Sequence, residues 1–119
     1  MAAVRYNGAM VTTVTPSELL QLVATQTVDL IDVRNPDEWD TGHIPGARLI
    51  PLDQVRADPD AHLSRRVTVF VCAKGVRSMQ AAKLAERFGY EQLYNLEGGT
   101  KGWAAEGLSI VTDDARAAA

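Results

Sequence analysis

The sequence predicts an α/β domain with a mostly parallel sheet covered by helices on both faces. Short runs rich in β-branched and apolar residues alternate along the chain with segments of helical character. The run at residues 67–71 is almost wholly apolar and is bounded by turn signals, which is typical of a strand buried on both faces of a parallel sheet. A length of 119 residues suits one compact domain.

The first predicted elements are a short strand and a helix. The β-branched residues 11–14 predict the strand. The helix is predicted to begin at Thr15 as N-cap, with Pro16 at its first position and Glu18 three residues after the cap. We expect three of its apolar side chains to face the core, namely Leu19, Leu20 and Val23.

A second buried strand is predicted at residues 28–33, and it contains an aspartate. Carboxylates are seldom buried without partners, so we expect Asp32 to accept hydrogen bonds from loop N–H groups near the end of this strand. Shorter elements are predicted after it: a helical turn at 37–41, a strand at 48–50, a brief helix at 53–57 and a turn or helix start at 58–60.

A well-marked helix follows the strand at residues 67–71. Ser78 is its predicted N-cap and Gly89 its predicted stop. Its apolar stripe has the spacing i, i+3, i+4 and i+7, formed by Ala81, Leu84, Ala85 and Phe88. Beyond it the sequence predicts a strand at residues 92–96 and a helix at 100–106.

Composition and charge restrict the function classes. Hydrophobic residues make up 46% of the chain and charged residues 23%, and the net charge of −3 gives no reason to expect nucleic-acid binding. One cysteine excludes an internal disulfide and suits a reducing compartment, so we expect a cytoplasmic protein. We expect no secretory signal and no membrane partner, because no apolar run is long enough. Residues 1–10 are predicted to be loose, 11–112 to form the domain and 113–119 to be a flexible tail.

Cys72 ends the predicted central strand and begins a short loop. Ligands of parallel α/β sheets bind beyond the carboxyl ends of the strands, so this position favours a chemical role. Backbone N–H groups of a tight loop at a helix start can converge on an anion. The helix end alone stabilises a thiolate by only ~0.3–1 kcal/mol. A larger decrease in the pKa of Cys72 therefore requires the loop N–H groups and the cations Lys74 and Arg77. We predict that Cys72 is largely a thiolate, the nucleophilic form, at neutral pH.

Four motifs occur in order along residues 11–111. They are Leu30-Ile31-Asp32-Val33-Arg34; Glu38-Trp39 with Gly42-His43-Ile44-Pro45-Gly46-Ala47; Cys72-Ala73-Lys74-Gly75-Val76-Arg77-Ser78; and Glu97-Gly98-Gly99 with Gly102-Trp103. Any one of them is weak evidence alone. Together they resemble the rhodanese family of sulfurtransferases, in its single-domain form.

The resemblance implies a rhodanese-like three-layer α/β/α fold with a mostly parallel five-stranded sheet. It implies that Cys72 carries a sulfane sulfur as a persulfide, without a metal or an organic cofactor. Asp32 and Arg34 are expected to support the site from behind, and His43 matches a histidine with a structural role in a loop. The implied substrate-binding loop consists of Ala73, Lys74, Gly75, Val76, Arg77 and Ser78.

The implied function is transfer of sulfur from a small anionic donor such as thiosulfate to a thiol or cyanide. A thioredoxin-like protein or a sulfur-carrier protein is an alternative acceptor. Two other readings stay open: a persulfide-carrier or binding and signalling module, and a phosphatase. Related dual-specificity phosphatases have five residues between cysteine and arginine, whereas four separate Cys72 from Arg77. The shorter loop suits a sulfur atom better than a tetrahedral phosphate.

Overall fold

The computed structural model describes residues 11–113, so the predicted loose segment 1–10 and residues 114–119 of the predicted tail lie outside it. The strands are β1 Val11–Val14, β2 Val28–Asp32, β3 Arg48–Leu49, β4 Val67–Val71 and β5 Leu93–Leu96. They form one five-stranded sheet in the order β1-β5-β4-β2-β3, and every pair is parallel. The predicted α/β class and parallel sheet are confirmed.

In residues 11–113, five helices lie between successive strands, and a sixth follows β5. They are α1 Pro16–Thr25, α2 Pro36–Asp40, α3 Leu52–Ala57, α4 Pro59–His62, α5 Val76–Arg87 and α6 Gly99–Ala105. The predicted start of α1 is confirmed: the Thr15 hydroxyl accepts from the Glu18 N–H at 3.2 Å, and the Glu18 carboxylate accepts from the Thr15 N–H at 2.9 Å. Within the described residues, none of these helices has the length and apolar character that crossing a bilayer requires.

The core occupies both faces of the sheet, with β4 at its centre. All residues of β4 are buried, because helices cover it on each side. Phe70 and Cys72 lie on one face, in a cluster with alanines of α5. Val69 and Val71 lie on the other face, in a cluster that includes Trp103 of α6. The result is the predicted three-layer arrangement, in which the side chain of Cys72 lies on the α5 side.

The buried faces of two helices differ from the prediction. Leu20 and Val23 are 43% and 47% exposed, so the prediction that both face the core is wrong, and Leu19 is the buried residue of α1. Phe88 is 50% exposed because α5 ends before it. The face of α5 against the sheet is formed by small side chains that permit close approach, including Ala81, Ala82 and Ala85.

The start of α5 also differs from the prediction. The helix begins at Val76, and its N-cap is Gly75 in the left-handed conformation, so the prediction of Ser78 as N-cap is wrong. A glycine cap has no side chain that could mark the helix start in the sequence. Ser78 therefore lies in the first turn of α5, completely buried, where its hydroxyl contacts other side chains.

Candidate active site

Three loops meet at the carboxyl edge of the sheet, as the parallel topology requires. The loop after β2 leads into α2, the loop after β4 leads into α5, and the loop after β5 leads into α6. They surround a cavity of about 270 Å³. Its lining combines the cysteine with charged side chains from the loop after β4 and from the helices α2, α5 and α6: Glu38, Cys72, Ala73, Lys74, Val76, Arg77 and Lys101.

Cys72 is 1% exposed, yet its sulfur lies among hydrogen-bond donors. The Gly75 N–H donates to Sγ at 3.1 Å, and the Ser78 hydroxyl lies 3.3 Å from Sγ. Burial raises the pKa of the Cys72 thiol, but bonds from the Ser78 hydroxyl and from the N–H groups of Ser78, Gly75 and Lys74 outweigh it, so that the pKa is lowered. This environment favours a thiolate and distinguishes Cys72 from an inert core cysteine.

Gly75 lets the loop turn back over the sulfur. Its φ of +109° lies in the left-handed region, which residues with a Cβ rarely adopt. A Cβ there would meet only ordinary contacts, the nearest being 3.6 Å away at the Leu96 carbonyl oxygen. Backbone conformation, rather than lack of space, therefore requires glycine at the position whose N–H faces Cys72.

The first turn of α6 fixes the loop from the other side. The Thr100 N–H donates to the Cys72 carbonyl at 2.8 Å, and the Lys101 N–H donates to the Ala73 carbonyl at 3.1 Å. A Cβ on Gly99 would stand 2.6 Å from the Ala73 carbonyl oxygen, too close to be accommodated. Glycine at position 99 is thus what allows α6 to reach the loop.

The charged side chains around the cavity fall into two groups. Arg77 forms a two-bond ion pair with Glu38, at 2.7 Å and 2.9 Å. The Arg77 hydrogen bonds hold the pKa of Glu38 at about 2, and the same pair raises the pKa of Arg77. Among the ion pairs within residues 11–113, none involves the side chain of Lys74 or Lys101, and both are exposed at the cavity. The cavity therefore retains positive charge from these two lysines.

Asp32 and Arg34 form a buried ion pair behind the cavity. The guanidinium binds the carboxylate through Nε at 2.9 Å and Nη2 at 2.8 Å, and Nη2 also donates to the Gly42 carbonyl at 2.8 Å. The Arg34 N–H donates to the Asp32 carboxylate at 3.0 Å, which confirms the expected bond to a loop N–H. Neither residue is hydrogen-bonded to Cys72. The Arg34 guanidinium also donates to the Glu38 carbonyl at 3.3 Å, so the pair stabilises the helix α2 that contains Glu38.

His43 lies in a structural network, as the sequence indicated. Its ring stacks on Trp39 with centroids 3.5 Å apart, and its Nδ1 lies 3.1 Å from the Trp39 carbonyl oxygen. Its backbone pairs with Val111 at 2.8 Å and 2.9 Å. Asp113, the first residue of the predicted tail, accepts from the Trp39 indole N–H at 2.9 Å. These contacts join the segment around residue 43 to the last described residues.

The structure adds two residues that the sequence analysis did not assign to the site. Glu38 is the partner of Arg77, and Asn95 of β5 accepts a hydrogen bond from the Ser78 hydroxyl. Asn95 is a polar residue within an apolar strand, the same signal that drew attention to Asp32, so it could have been found. Pairing of Glu38 with Arg77 depends on how α2 lies over the loop, which no local pattern reveals.

The remaining predicted loop residues take different positions. The Ala73 carbonyl bonds to α6, the Lys74 N–H faces the sulfur, and Val76 begins α5 with an exposed side chain. Within residues 11–113 no three histidine, cysteine, aspartate or glutamate side chains are grouped closely enough to hold a metal ion.

Comparison with known proteins gives a consistent set of relatives. A sequence model of the Rhodanese-like domain matches residues 15–106. The chain is 40% identical over 77 residues to the Bacillus subtilis protein YqhL, covering 65% of this chain and 61% of that protein. It is 39% identical over 97 residues to the probable adenylyltransferase/sulfurtransferase MoeZ of Mycobacterium tuberculosis, but covers only 25% of it. A sulfurtransferase of Allochromatium vinosum is 35% identical over 79% of this chain and 88% of its own length.

Solved structures show the same architecture. A rhodanese-like domain protein of Staphylococcus aureus is 34% identical and superimposes with a TM-score of 0.71, covering 85% of this chain and 99% of that one. A rhodanese-related protein of Thermoplasma volcanium is 27% identical with a TM-score of 0.75, covering 84% of this chain and 97% of that one.

Proposed function

Because the chain belongs to the rhodanese-like domain family, we propose that it is a sulfurtransferase in which Cys72 carries the sulfur as a persulfide. The observation that supports this most is the buried sulfur of Cys72 with several donors around it. The Gly75 N–H at 3.1 Å and the Ser78 hydroxyl at 3.3 Å stabilise negative charge at this position. Curated relatives named sulfurtransferase agree with the proposal.

The first half-reaction uses the thiolate as nucleophile. The Cys72 sulfur attacks the outer sulfur of thiosulfate, a new S–S bond forms, and the old one breaks as sulfite leaves with its electron pair. No proton is transferred, so no general base is required once Cys72 is ionised. The negative charge then lies on the outer sulfur of the persulfide, within the cavity of about 270 Å³.

In the second half-reaction a nucleophilic acceptor, cyanide or a thiolate, attacks the outer sulfur. Its bond to the outer sulfur forms while the persulfide S–S bond breaks, and the thiolate of Cys72 is regenerated. The donors that face Cys72 stabilise this leaving group, as they stabilise the nucleophile. Because the enzyme alternates between a free form and a persulfide form, the two half-reactions predict ping-pong kinetics.

The charges around the cavity support an anionic donor. Arg77 is paired with Glu38, so the cations available to a donor are Lys74 and Lys101. Lys74 lies in the loop after β4 and Lys101 lies in α6, and both line the cavity that contains Cys72. We therefore propose that these two lysines, rather than Arg77, attract and hold a small anion such as thiosulfate.

The acceptor and the cellular setting are proposals of the same kind. A small thiol, cyanide, a thioredoxin-like protein or a sulfur-carrier protein could each take the outer sulfur, and we propose a cytoplasmic location. The relation to MoeZ, which is named a probable adenylyltransferase/sulfurtransferase and of which this chain spans a quarter, supports sulfur transfer in general.

The test is a two-substrate assay with thiosulfate and cyanide, following thiocyanate formation. The wild-type protein is expected to give parallel double-reciprocal lines, and Cys72→Ser to give no thiocyanate. Inactivity with every small donor, together with partner binding that does not need Cys72, would contradict the proposal and favour a binding module. Release of phosphate from p-nitrophenyl phosphate would favour the phosphatase alternative.

A further inference from the structure

The hydroxyl of Ser78 lies between two other buried polar groups. Its Oγ is 3.3 Å from the sulfur of Cys72 and also donates to Oδ1 of Asn95. Ser78 is 0% exposed and Asn95 is 4% exposed. Cys72 directly follows β4, Ser78 lies in α5 and Asn95 lies in β5, and the three side chains form one chain of contacts behind the cavity. Asn95 does not border the cavity and plays no part in the mechanism above.

A serine hydroxyl has one hydrogen, so it cannot donate to Asn95 and to Cys72 at the same time. When Cys72 is a thiol, its S–H can donate to Oγ while the hydroxyl donates to the Asn95 oxygen. When Cys72 is a thiolate, it can only accept, and the hydroxyl hydrogen must turn toward the sulfur. The Asn95 oxygen then loses its donor in a buried place, which carries a free-energy penalty.

An amide can relieve this conflict where other side chains cannot. Turning the amide of Asn95 about its last torsion angle replaces the oxygen with the NH₂ group, which donates to the Ser78 oxygen. The hydroxyl hydrogen is then free to bond the thiolate. We propose that Asn95 is a positioning residue that, through Ser78, directs this single hydrogen and so controls how readily Cys72 ionises.

Other charges face Cys72 but do not share this hydrogen. Lys74 and Arg77 lie on its own loop and the start of α5, Glu38 lies on α2, and Lys101 lies on α6. Neither Ser78 nor Asn95 is hydrogen-bonded to any of them through its side chain. These charged groups produce an electric field at the sulfur whether Cys72 is a thiol or a thiolate. The Asn95–Ser78 pair, in contrast, changes its hydrogen bonds when Cys72 ionises.

The test places two side chains of similar size at position 95: one that accepts hydrogen bonds but cannot donate them, and one that is apolar. In Asn95→Asp the ionised carboxylate accepts the hydroxyl hydrogen and cannot release it by turning, whereas Asn95→Leu offers no acceptor. The pKa of Cys72, measured from the pH dependence of its alkylation by iodoacetamide, is expected to be higher in Asn95→Asp than in Asn95→Leu by more than roughly one unit.

A Ser78→Ala background separates this route from the charge of the new carboxylate. Without the hydroxyl, the difference between Asn95→Asp and Asn95→Leu is expected to fall to less than half. An equal difference in both backgrounds, or none in either, would overturn the proposal. Gln92→Glu is the control for amide-to-acid substitution, since Gln92 is exposed and bonds to the Arg65 carbonyl, and it is expected to leave the pKa unchanged.

A second comparison decides the matter if Asn95→Asp does not fold. Ser78→Ala is expected to raise the pKa of Cys72 more in Asn95→Leu than in the wild-type protein, because without the amide the hydroxyl has only the sulfur to bond. Equal rises would contradict the proposal. The importance of this inference rests on the proposed function, but alkylation of Cys72 does not require sulfur transfer. A protein that transfers no sulfur but shows the expected pKa differences would therefore reject only the proposed function.

Discussion

At the scale of single residues, the chemistry depends on how many donors face the sulfur of Cys72. Three backbone N–H groups and one hydroxyl offset the burial that would otherwise keep the thiol protonated. The backbone donors are fixed by the loop, so the Ser78 hydroxyl is the donor that mutation can remove cleanly. The positive charges of Lys74 and Lys101 at the cavity are not among these hydrogen-bond donors. We propose that they act on the sulfur donor, thiosulfate.

Ser78→Ala removes the hydroxyl donor and is expected to raise the pKa of Cys72. Because the thiolate is the reactive form, a shift of one unit should lower the rate of persulfide formation by roughly tenfold at pH values below the wild-type pKa. The loss should shrink between the two pKa values and vanish at higher pH. A pH profile of single-turnover persulfide formation measures this. If the rate of persulfide formation falls on the acid side at the same pH as in the wild-type protein, the hydroxyl does not stabilise the thiolate.

Lys74→Ala and Lys101→Ala are each expected to raise KM for thiosulfate several-fold, since each removes a lysine at the cavity that forms no ion pair within residues 11–113. Steady-state kinetics at low and high salt measures the effect, which should shrink as salt screens the charges. Lys83→Ala on α5 is the matched control, because Lys83 lies beside a different pocket with Met79 and Glu86. A loss as large in Lys83→Ala would mean that overall charge, and not these two positions, determines KM.

At the scale of elements, two helices hold the loop that follows β4. The helix α2 does so through Glu38 and Arg77, and α6 does so through its first-turn N–H groups and the close approach at Gly99. The loop therefore depends on contacts with elements that are distant in the sequence. This explains how a short loop can keep several N–H groups directed at one sulfur atom.

Glu38→Gln is expected to destabilise the fold at neutral pH by about 1 kcal/mol or less, because the side chains of Glu38 and Arg77 remain 35% and 33% exposed and water screens the pair. The pKa of Glu38 is lowered from 4.5 to about 2, so the contribution is complete above 4.5 and is lost as the pH falls through about 2. Urea unfolding of both proteins across this range should give curves that converge at low pH. A constant difference would contradict the ion pair as its source.

Gly99→Ala is expected to displace the loop, because the new Cβ would stand 2.6 Å from the Ala73 carbonyl oxygen. We expect a loss of about 1–3 kcal/mol in unfolding free energy and a marked loss of persulfide formation. Gly107→Ala is the matched control. The φ of Gly107, +80°, is positive like that of Gly99, but a Cβ at Gly107 would meet nothing within 4 Å. Thermal unfolding and activity of the two variants should therefore separate the clash from the backbone strain. Similar losses in both would assign the effect to strain alone.

At the scale of the whole molecule, the parallel sheet and the place of Cys72 at its carboxyl edge could be predicted from local patterns. The buried run of β4 and the capping signal at Thr15 are properties of neighbouring residues, and the structure confirms both. The exposure of Leu20 and Phe88 could not be predicted, because it depends on how α1 is placed in the fold and on α5 ending before Phe88.

The same distinction applies to the site. The motif around Cys72 indicated the loop, and the alternation of strands and helices predicted that three loops meet there. The pairing of Arg77 with Glu38 and of Ser78 with Asn95 joins residues 39 and 17 positions apart, so only the folded chain reveals it. Local sequence therefore indicated Cys72 as the candidate nucleophile, while its hydrogen-bond partners could be identified only from the structure.

The decisive measurement for a persulfide at Cys72 is the intact mass of the protein before and after incubation with thiosulfate, recorded without reductant beside Cys72→Ala. The wild-type protein is expected to gain one sulfur atom and to lose it on addition of cyanide. The variant Cys72→Ala is expected to gain none. No gain in a wild-type protein whose Cys72 still alkylates readily at neutral pH would contradict sulfur transfer from thiosulfate through this cysteine.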